Sequence, residues 1–503
     1  MTHRDDALEL LLRHSELADL AAYPFNFDVG RRRHVEEVRL ASDGPLRKVA
    51  GDDTGGSFFV CAGGEVLYGG SEGEAGLIGG SIAEALETIV GLGDWGSYAD
   101  LDLSLDDAEL AAWTAEVEEE IAEYYGPSLD ADRERLLAGL GLRRLPVREL
   151  AGRLQRALLR TEPDFLLLNA AEHRAYRRLD ELPRPALWET VLAPGRAYLD
   201  RLRSGAVAPA DVLADAGRRA TVLRAAQYDR RAEDLPLLRV LLEHVVEHGE
   251  DVAEFRLGAV LLGLHGEARD HAWLNSVRSA VPDVYYALGG AEFPEDPAEL
   301  GRWAAGWDAS EYGTDPLDEP EVDWAALAGR QGRTELARAA LIRMLDATGP
   351  RDRGLIGVLA SEFVRIGDFR QAARARHLHA CLLDDPFARG SALANLASLQ
   401  RRAEDLPAAW KSLCRAVTTL DGPPVPAPAG GPSTHHCIPW VRLSIGLQVT
   451  EEHFALARAA AAAGLPAEAR AAAEAGQALL ERLPAPSTEL QRAAAEARGV
   501  SAT

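Results

Sequence analysis

An α+β N-terminal domain, a small mixed sheet with flanking helices, followed by an all-α helical-repeat solenoid is the architecture expected of this chain, which reads as predominantly helical overall. Three observations lead there. Short β-rich segments broken by glycine crowd residues 35–78, and almost none follows residue 131. Amphipathic helical patterns joined by short turns run from there to the end. One turn pattern returns after 35 and then 36 residues, the period of a helical-hairpin array.

The elements follow in order. Residues 1–22 read as one helix, with Leu8, Leu11, Leu12, Leu17 and Leu20 near helical spacing. Extended segments come next at Val35–Leu40, Leu46–Val49, Gly56–Ala62, Glu65–Tyr68 and Gly76–Ile78. Ala62-Gly-Gly-Glu65 signals a hairpin, because such turns need positive φ. Ser81 starts a helix to about Val90, with Glu84 placed for a capping box. A further helix begins near Ser104 or Asp106 and runs to Tyr125. Its apolar stripe is Leu110, Trp113, Val117, Ile121 and Tyr124. Glu118, Glu119, Glu120 and Glu123 crowd its C-terminal half, where the helix macrodipole disfavours negative charge. Helix stability does not account for that placement.

Beyond it, Gly332-Arg-Thr-Glu-Leu-Ala337, Gly367-Asp-Phe-Arg-Gln-Ala372, Ala403-Glu-Asp-Leu-Pro-Ala408 and Gly464-Leu-Pro-Ala-Glu-Ala469 share one design. A small residue turns the chain, and an alanine five positions later lets two helices approach. Arg-Arg-Ala-Glu-Asp-Leu-Pro occurs at 230–236 and again at 401–407, and a related turn, His265-Gly-Glu-Ala-Arg-Asp270, follows the first copy. The expected division is an acidic α+β domain over 1–130, a helical region with repeat-like hairpins over 131–320, helical repeats over 321–485 and a frayed tail over 486–503. Asp421–Pro439, rich in Pro and Gly, is expected to interrupt the array as a linker.

Charge narrows the function. The 503 residues carry a net charge of −25, yet residues 49–132 hold twenty Asp and Glu and no Lys, Arg or His. Such a block repels itself unless opposite charge lies close. Arg31–Arg33 precede it, and Arg133, Arg135, Arg143, Arg144, Arg148, Arg153, Arg156 and Arg160 follow it. It is therefore either paired internally or an exposed negative face that steers a basic partner, an attraction that salt weakens. Binding nucleic acid through this half is disfavoured, since phosphate contacts need positive charge. No run approaches eighteen apolar residues, so no membrane span is expected. Cys61, Cys381, Cys414 and Cys437 form no close motif, which fits a reducing cytoplasm. Lysine occurs only at Lys48 and Lys411, an arginine bias typical of a GC-rich bacterial genome.

Val49-Ala-Gly-Asp-Asp-Thr-Gly-Gly-Ser-Phe-Phe-Val60, then Glu65-Val-Leu-Tyr68 and Gly70-Ser-Glu-Gly-Glu-Ala-Gly76, with the helix after Ser81 and Trp95, resembles the SUKH superfamily over residues 35–100. The resemblance implies a small mixed sheet with flanking helices. It also implies, from the bacterial members, an immunity protein that binds and neutralises a toxin domain. The turns at 332, 367, 403 and 464 resemble tetratricopeptide repeats, with most consensus aromatics missing.

Other motifs have plain structural readings. His244-Val-Val-Glu-His248 fits H-x-x-E-H, but in an all-helical neighbourhood rather than a peptidase fold. Gly69-Gly-Ser-Glu-Gly73 fits a nucleophile elbow but is not followed directly by a helix, and Gly91-Leu-Gly-Asp-Trp-Gly96 ends a helix instead of following a strand. Asp100, Asp102, Ser104 and Asp106 alternate like calcium ligands without the required Gly and Glu. His435-His436-Cys437 and the set His377, His379 and Cys381 read as unspecific. No nucleophile, base and orienting group converge, so no catalytic residue, metal or cofactor is expected. The expected function is non-enzymatic capture of a basic protein partner, a toxin domain being one candidate. The expected contacts are Asp52, Asp53, Glu72, Glu74, Glu116, Glu119, Glu120 and Glu123, with the solenoid as a second surface. The alternatives are a helical-repeat scaffold or regulator without an immunity role and, more remotely, a zinc hydrolase using His244, Glu247 and His248.

Overall fold

In the computed structural model, the residues described are 6–31, 33–126, 129–248, 252–290, 293–312, 315–422 and 439–501. The leucines near the N-terminus form two helices rather than one, α1 (Asp6–Arg13) and α2 (Ser15–Ala22), because His14 between them is extended (φ −118°, ψ 99°). On a continuous helix Leu20 would sit about 120° around from Leu8. The break returns Leu8, Leu11 and Leu20 to one core and leaves Leu12 outside.

Strands β1 (Val38–Leu40), β2 (Leu46–Gly51), β3 (Ser57–Cys61), β4 (Val66–Gly69) and β5 (Glu74–Gly79) follow the expected segments closely. β2 to β5 form an antiparallel meander. The Gly63-Gly64 hairpin forms as read, with Gly64 at φ 95° and its amide donating to the Cys61 carbonyl (3.0 Å). Successive side chains of a strand point to opposite faces. Phe58, Val66, Tyr68 and Ile78 thus enter a core with the helices, while Phe59, Cys61, Leu67 and Leu77 pack against Leu40, Leu167 and Tyr176 on the other face.

Helix α3 (Ile82–Leu92) starts at Ser81, whose hydroxyl accepts from the Glu84 amide (3.2 Å). The Glu84 carboxylate accepts from Gly80 instead of completing the reciprocal box (2.9 Å). Helix α4 (Asp107–Tyr125) carries a full capping box between Asp106 and Glu109. Leu110, Val117 and Ile121 are buried along it, and the Tyr124 side chain lies outside the described residues.

The mixed domain does not end at residue 130. Helices α5 (Leu129–Leu140) and α6 (Val147–Leu159) supply Leu136, Leu137, Leu150, Leu154 and Leu158 to the same core as Phe58 and Leu86. Strand β6 (Leu167–Asn169) pairs antiparallel with β1, and β7 (Arg177–Arg178) adds to the edge of β5 in parallel. Two- and three-residue strands show no period-2 pattern in a sequence, and among the described residues β6 is the one strand paired with β1.

From Leu187 onward the described residues are helical. The helices Leu187–Arg203 and Ala216–Tyr228 pack closely at Gly195, where a β-carbon would stand 2.4 Å from the Thr221 carbonyl oxygen. The chain divides at Ala340/Leu341 into two compact units. The recurring turns share one closure. A left-handed residue is followed by an amide that donates to the carbonyl five positions back: Arg333 to Ala328 (3.0 Å), Asp368 to Phe363 (2.9 Å), Asp405 to Gln400 (2.9 Å) and Leu465 to Ala460 (2.9 Å). The left-handed residues are Gly332, Gly367, Glu404 and Gly464. In the third turn the pivot is thus Glu404, not Ala403, and the intervals are 35 and 37 residues. The alanines five positions on are Ala337, Ala372, Ala409 and Ala469, each 0% exposed, whereas Ala408 is only half-buried.

The tail expected to fray is instead a helix, Thr488–Ser501, which buries Leu490, Ala494 and Ala497 against the helices Ser444–Ala462 and Pro466–Arg482. Of the expected linker, residues 423–438 lie outside the description. At its borders Asp421 accepts from Trp440 Nε1 (2.7 Å) and from Arg482 (2.8 Å). Among the described residues, no helix is long and apolar enough to cross a membrane.

Candidate functional site: an acidic, aromatic-walled cleft

The turn between β2 and β3 opens with two aspartates that face different ways. Asp52 turns inward, 7% exposed, and its Oδ1 accepts from the amides of Thr54 (3.0 Å) and Gly56 (2.7 Å) and from the Thr54 hydroxyl (2.9 Å). Its Oδ2 accepts from the Tyr68 hydroxyl (2.7 Å). Burial and this bond push the Tyr68 phenol well above the ordinary tyrosine range. Asp52 is therefore not the exposed contact expected of it; it builds the turn. Asp53, the next residue, is exposed.

Gly93 caps α3 at φ 74° and reverses the chain, bringing Asp94 and Trp95 back over the sheet. The Trp95 indole meets Tyr68 edge-on, ring centroids 5.0 Å apart. Helix α4 closes the opposite side, steadied by Trp113 edge-on to Tyr98 (4.7 Å). Between these parts lies a cleft of about 510 Å³. Val117, Ile121, Leu179 and Phe58 line it together with Tyr68, Trp95 and Tyr125. Five carboxylates also line it, those of Asp52, Asp53, Glu74, Asp94 and Glu120, and among the described residues no Lys, Arg or His does. At its edge Tyr23, 60% exposed, stands edge-on to Tyr125 (4.8 Å).

Four of the expected contacts thus share one cleft: Asp52, Asp53, Glu74 and Glu120. Glu74 is half-buried and lies 3.6 Å from Arg177. Glu72 is exposed on the neighbouring β4–β5 turn but lines no part of the cleft. Glu116, Glu119 and Glu123 sit on the exposed face of α4, outside it. The two readings of the acidic block divide by position. Arg133 holds Glu118 (3.3 Å), Arg153 and Arg143 hold the buried Glu87 (3.0 and 3.4 Å), and Arg148 holds Asp107 (3.0 Å). Arg144 pairs with Asp130, at the end of the block, and with Glu134 beyond it. Asp53, Asp94, Glu116, Glu119, Glu120 and Glu123 have no ion pair among the described residues.

Compared with known proteins, the chain matches no family model and no curated sequence.

The remaining motifs serve the fold. Gly69–Gly73 is a strand–turn–strand, with the Gly70 amide donating to the Glu74 carbonyl (2.8 Å). Asp100 accepts from the Glu181 amide (2.7 Å), Asp102 from the Ser104 amide (2.9 Å), and Asp106 caps α4. His244 and His248 stack at 4.1 Å, with His248 Nδ1 2.9 Å from the His244 carbonyl. Among the described residues no three His, Cys, Asp or Glu side chains are grouped as one metal ion would require. His435, His436 and Cys437 lie outside the described residues.

Sequence reasoning missed a polar chain through His34. Its Nδ1 lies 2.8 Å from Ser57 Oγ and its Nε2 3.1 Å from the Tyr176 hydroxyl, which donates to Glu36 (2.5 Å). Ser57 is 0% exposed, so no hydroxyl is presented for attack, and the chain ties the segment before β1 to the β6–β7 region. No local signal links residues so far apart in sequence.

Proposed function

We propose that this protein is a non-enzymatic binding protein that captures a basic protein partner through the acidic cleft and the adjoining face of α4. The observation that carries the reading is the cleft itself, where five carboxylates and four aromatic rings meet and no described Lys, Arg or His lines the wall, Arg177 standing outside it 3.6 Å from Glu74. Aromatic anchors inside a polar rim are how protein surfaces concentrate binding energy. Glu119, Glu120 and Glu123 on α4 support it, since they lie where the helix macrodipole opposes them and, among the described residues, no arginine pairs with them. The resemblance to toxin-neutralising proteins suggests a toxin domain as partner, and the helical repeats offer a second, extended surface.

The test is a tagged pull-down from the native cell at low and high salt. The wild type is compared with a variant in which Glu116, Glu119, Glu120 and Glu123 are changed to Lys, after circular dichroism shows that the variant folds. A basic protein held by the wild type, and lost both with salt and in the variant, is the expected result. A partner held equally by both moves the binding surface to the helical repeats and leaves a scaffold role, with the acidic block as internal electrostatics.

A further inference from the structure

The protein holds its own arginines in a recurring way. Arg224 lies over the Trp324 ring (5.2 Å to the centroid) while its Nη1 donates to the Glu319 carboxylate (2.9 Å). Arg482 lies over Trp440 (5.4 Å) and donates to Asp421 (2.8 Å). Each trio is one indole, one carboxylate and one guanidinium. The cleft presents the first two parts, Trp95 with Asp94 and Glu120, and among the described residues no arginine stands over Trp95.

We propose, on the basis of the capture reading above, that the cleft takes an arginine side chain of the partner as its anchor. The Trp95 ring is fixed by Tyr68 against one part of it and by Phe58 at 6.5 Å, so it offers a rigid surface for a cation. Asp53, Asp94 and Glu120 line the cleft from three different elements: the β2–β3 turn, the loop after α3, and α4. Carboxylates spread in this way suit a planar group with five N–H donors better than a point-like ammonium. A guanidinium is also the more weakly hydrated cation, and so is the cheaper one to draw against an aromatic wall. Tyr23 extends that wall outward, where residues flanking the arginine would pass.

The experiment uses the full chain and three fluorescein-labelled Gly/Ser peptides that differ only in carrying three arginines, three lysines or three citrullines. Binding is read by fluorescence anisotropy. The arginine peptide is expected to bind about ten-fold more tightly than the lysine peptide, and citrulline, which has the shape without the charge, to bind too weakly to measure. Trp95→Leu should erase the preference for arginine over lysine. Asp94→Asn with Glu120→Gln, both exposed positions that leave the core intact, should reduce arginine binding several-fold even if the Trp95 variant does not fold. Glu116, Glu119 and Glu123 changed to Lys should weaken arginine and lysine peptides alike. Equal binding of arginine and lysine by the wild type, a preference that survives Trp95→Leu in a folded variant, or no binding of the arginine peptide overturns the proposal. The two readings also fail separately. A cellular partner lost on α4 charge reversal but retained by Asp94→Asn/Glu120→Gln sinks the arginine anchor and leaves capture by the acidic face standing.

Discussion

The carboxylate of Asp52 accepts four hydrogen bonds while that of Asp53, one residue on, accepts none among the described residues. A buried carboxylate is tolerable only when it is satisfied, and an exposed one without an internal partner is free to meet a ligand. His453 shows the same principle with the opposite charge. It is 1% exposed, its Nδ1 lies 2.8 Å from the Val449 carbonyl, and burial lowers its pKa from 6.5 to about 4. The fold therefore holds the neutral imidazole. Its contribution is complete above the unfolded pKa of 6.5 and is lost as pH falls from there toward 4, by up to about 3 kcal/mol. Urea unfolding of the helical array, followed by circular dichroism at pH 7 and pH 5, should show that loss. His453→Leu should flatten the difference, and an unchanged pH dependence in that variant would count against the assignment.

The hairpins of the array depend on a left-handed residue and on an alanine five positions later. Both devices follow from close packing, since the positive φ lets the chain reverse at once and the missing side chain lets the helices touch. Placing the third pivot at Glu404 has a consequence at its alanine. Ala409→Leu should overpack the contact between Pro386–Arg402 and Leu406–Leu420 and cost about 1–3 kcal/mol. Ala408→Leu should stay within about 0.5 kcal/mol. Thermal unfolding of the two variants distinguishes the registers, and the reverse ranking would restore Ala403 as the pivot.

Across the whole chain a net charge of −25 is distributed unevenly, and the arginines after residue 132 neutralise only part of the acidic segment. The unanswered part, on α4 and around the cleft, is where self-repulsion remains. Raising salt from low to physiological strength should therefore raise the melting temperature of the wild type. Changing Glu119 and Glu123 to Lys should raise it at low salt and reduce its salt dependence, because the macrodipole then favours the last turns of α4. On the proposed capture reading, the same change should also weaken binding of a basic partner. A variant melting lower than the wild type at low salt would mean that these acids have internal partners after all.

Much of this molecule is written locally. The meander, the Gly63-Gly64 hairpin, the cap at Ser81, the box at Asp106 and the recurring turns all arise from preferences between residues a few positions apart. Negative charge is equally legible, as is its odd placement on α4. The break at His14, the strands β6 and β7, the left-handed Glu404 and the packed final helix are not, because each is imposed by a partner distant in the chain. The heptapeptide shared by 230–236 and 401–407 makes the point directly: its first two residues lie in a loop in one copy and end a helix in the other, although Leu-Pro begins a helix in both. The cleft belongs with these. Asp53, Trp95, Glu120 and Tyr125 become neighbours only when Gly93 reverses the chain and α4 packs beside the sheet. Local pattern sets which residues are charged or aromatic, but whether a charge is satisfied inside or presented outside depends on long-range packing and the desolvation that comes with it.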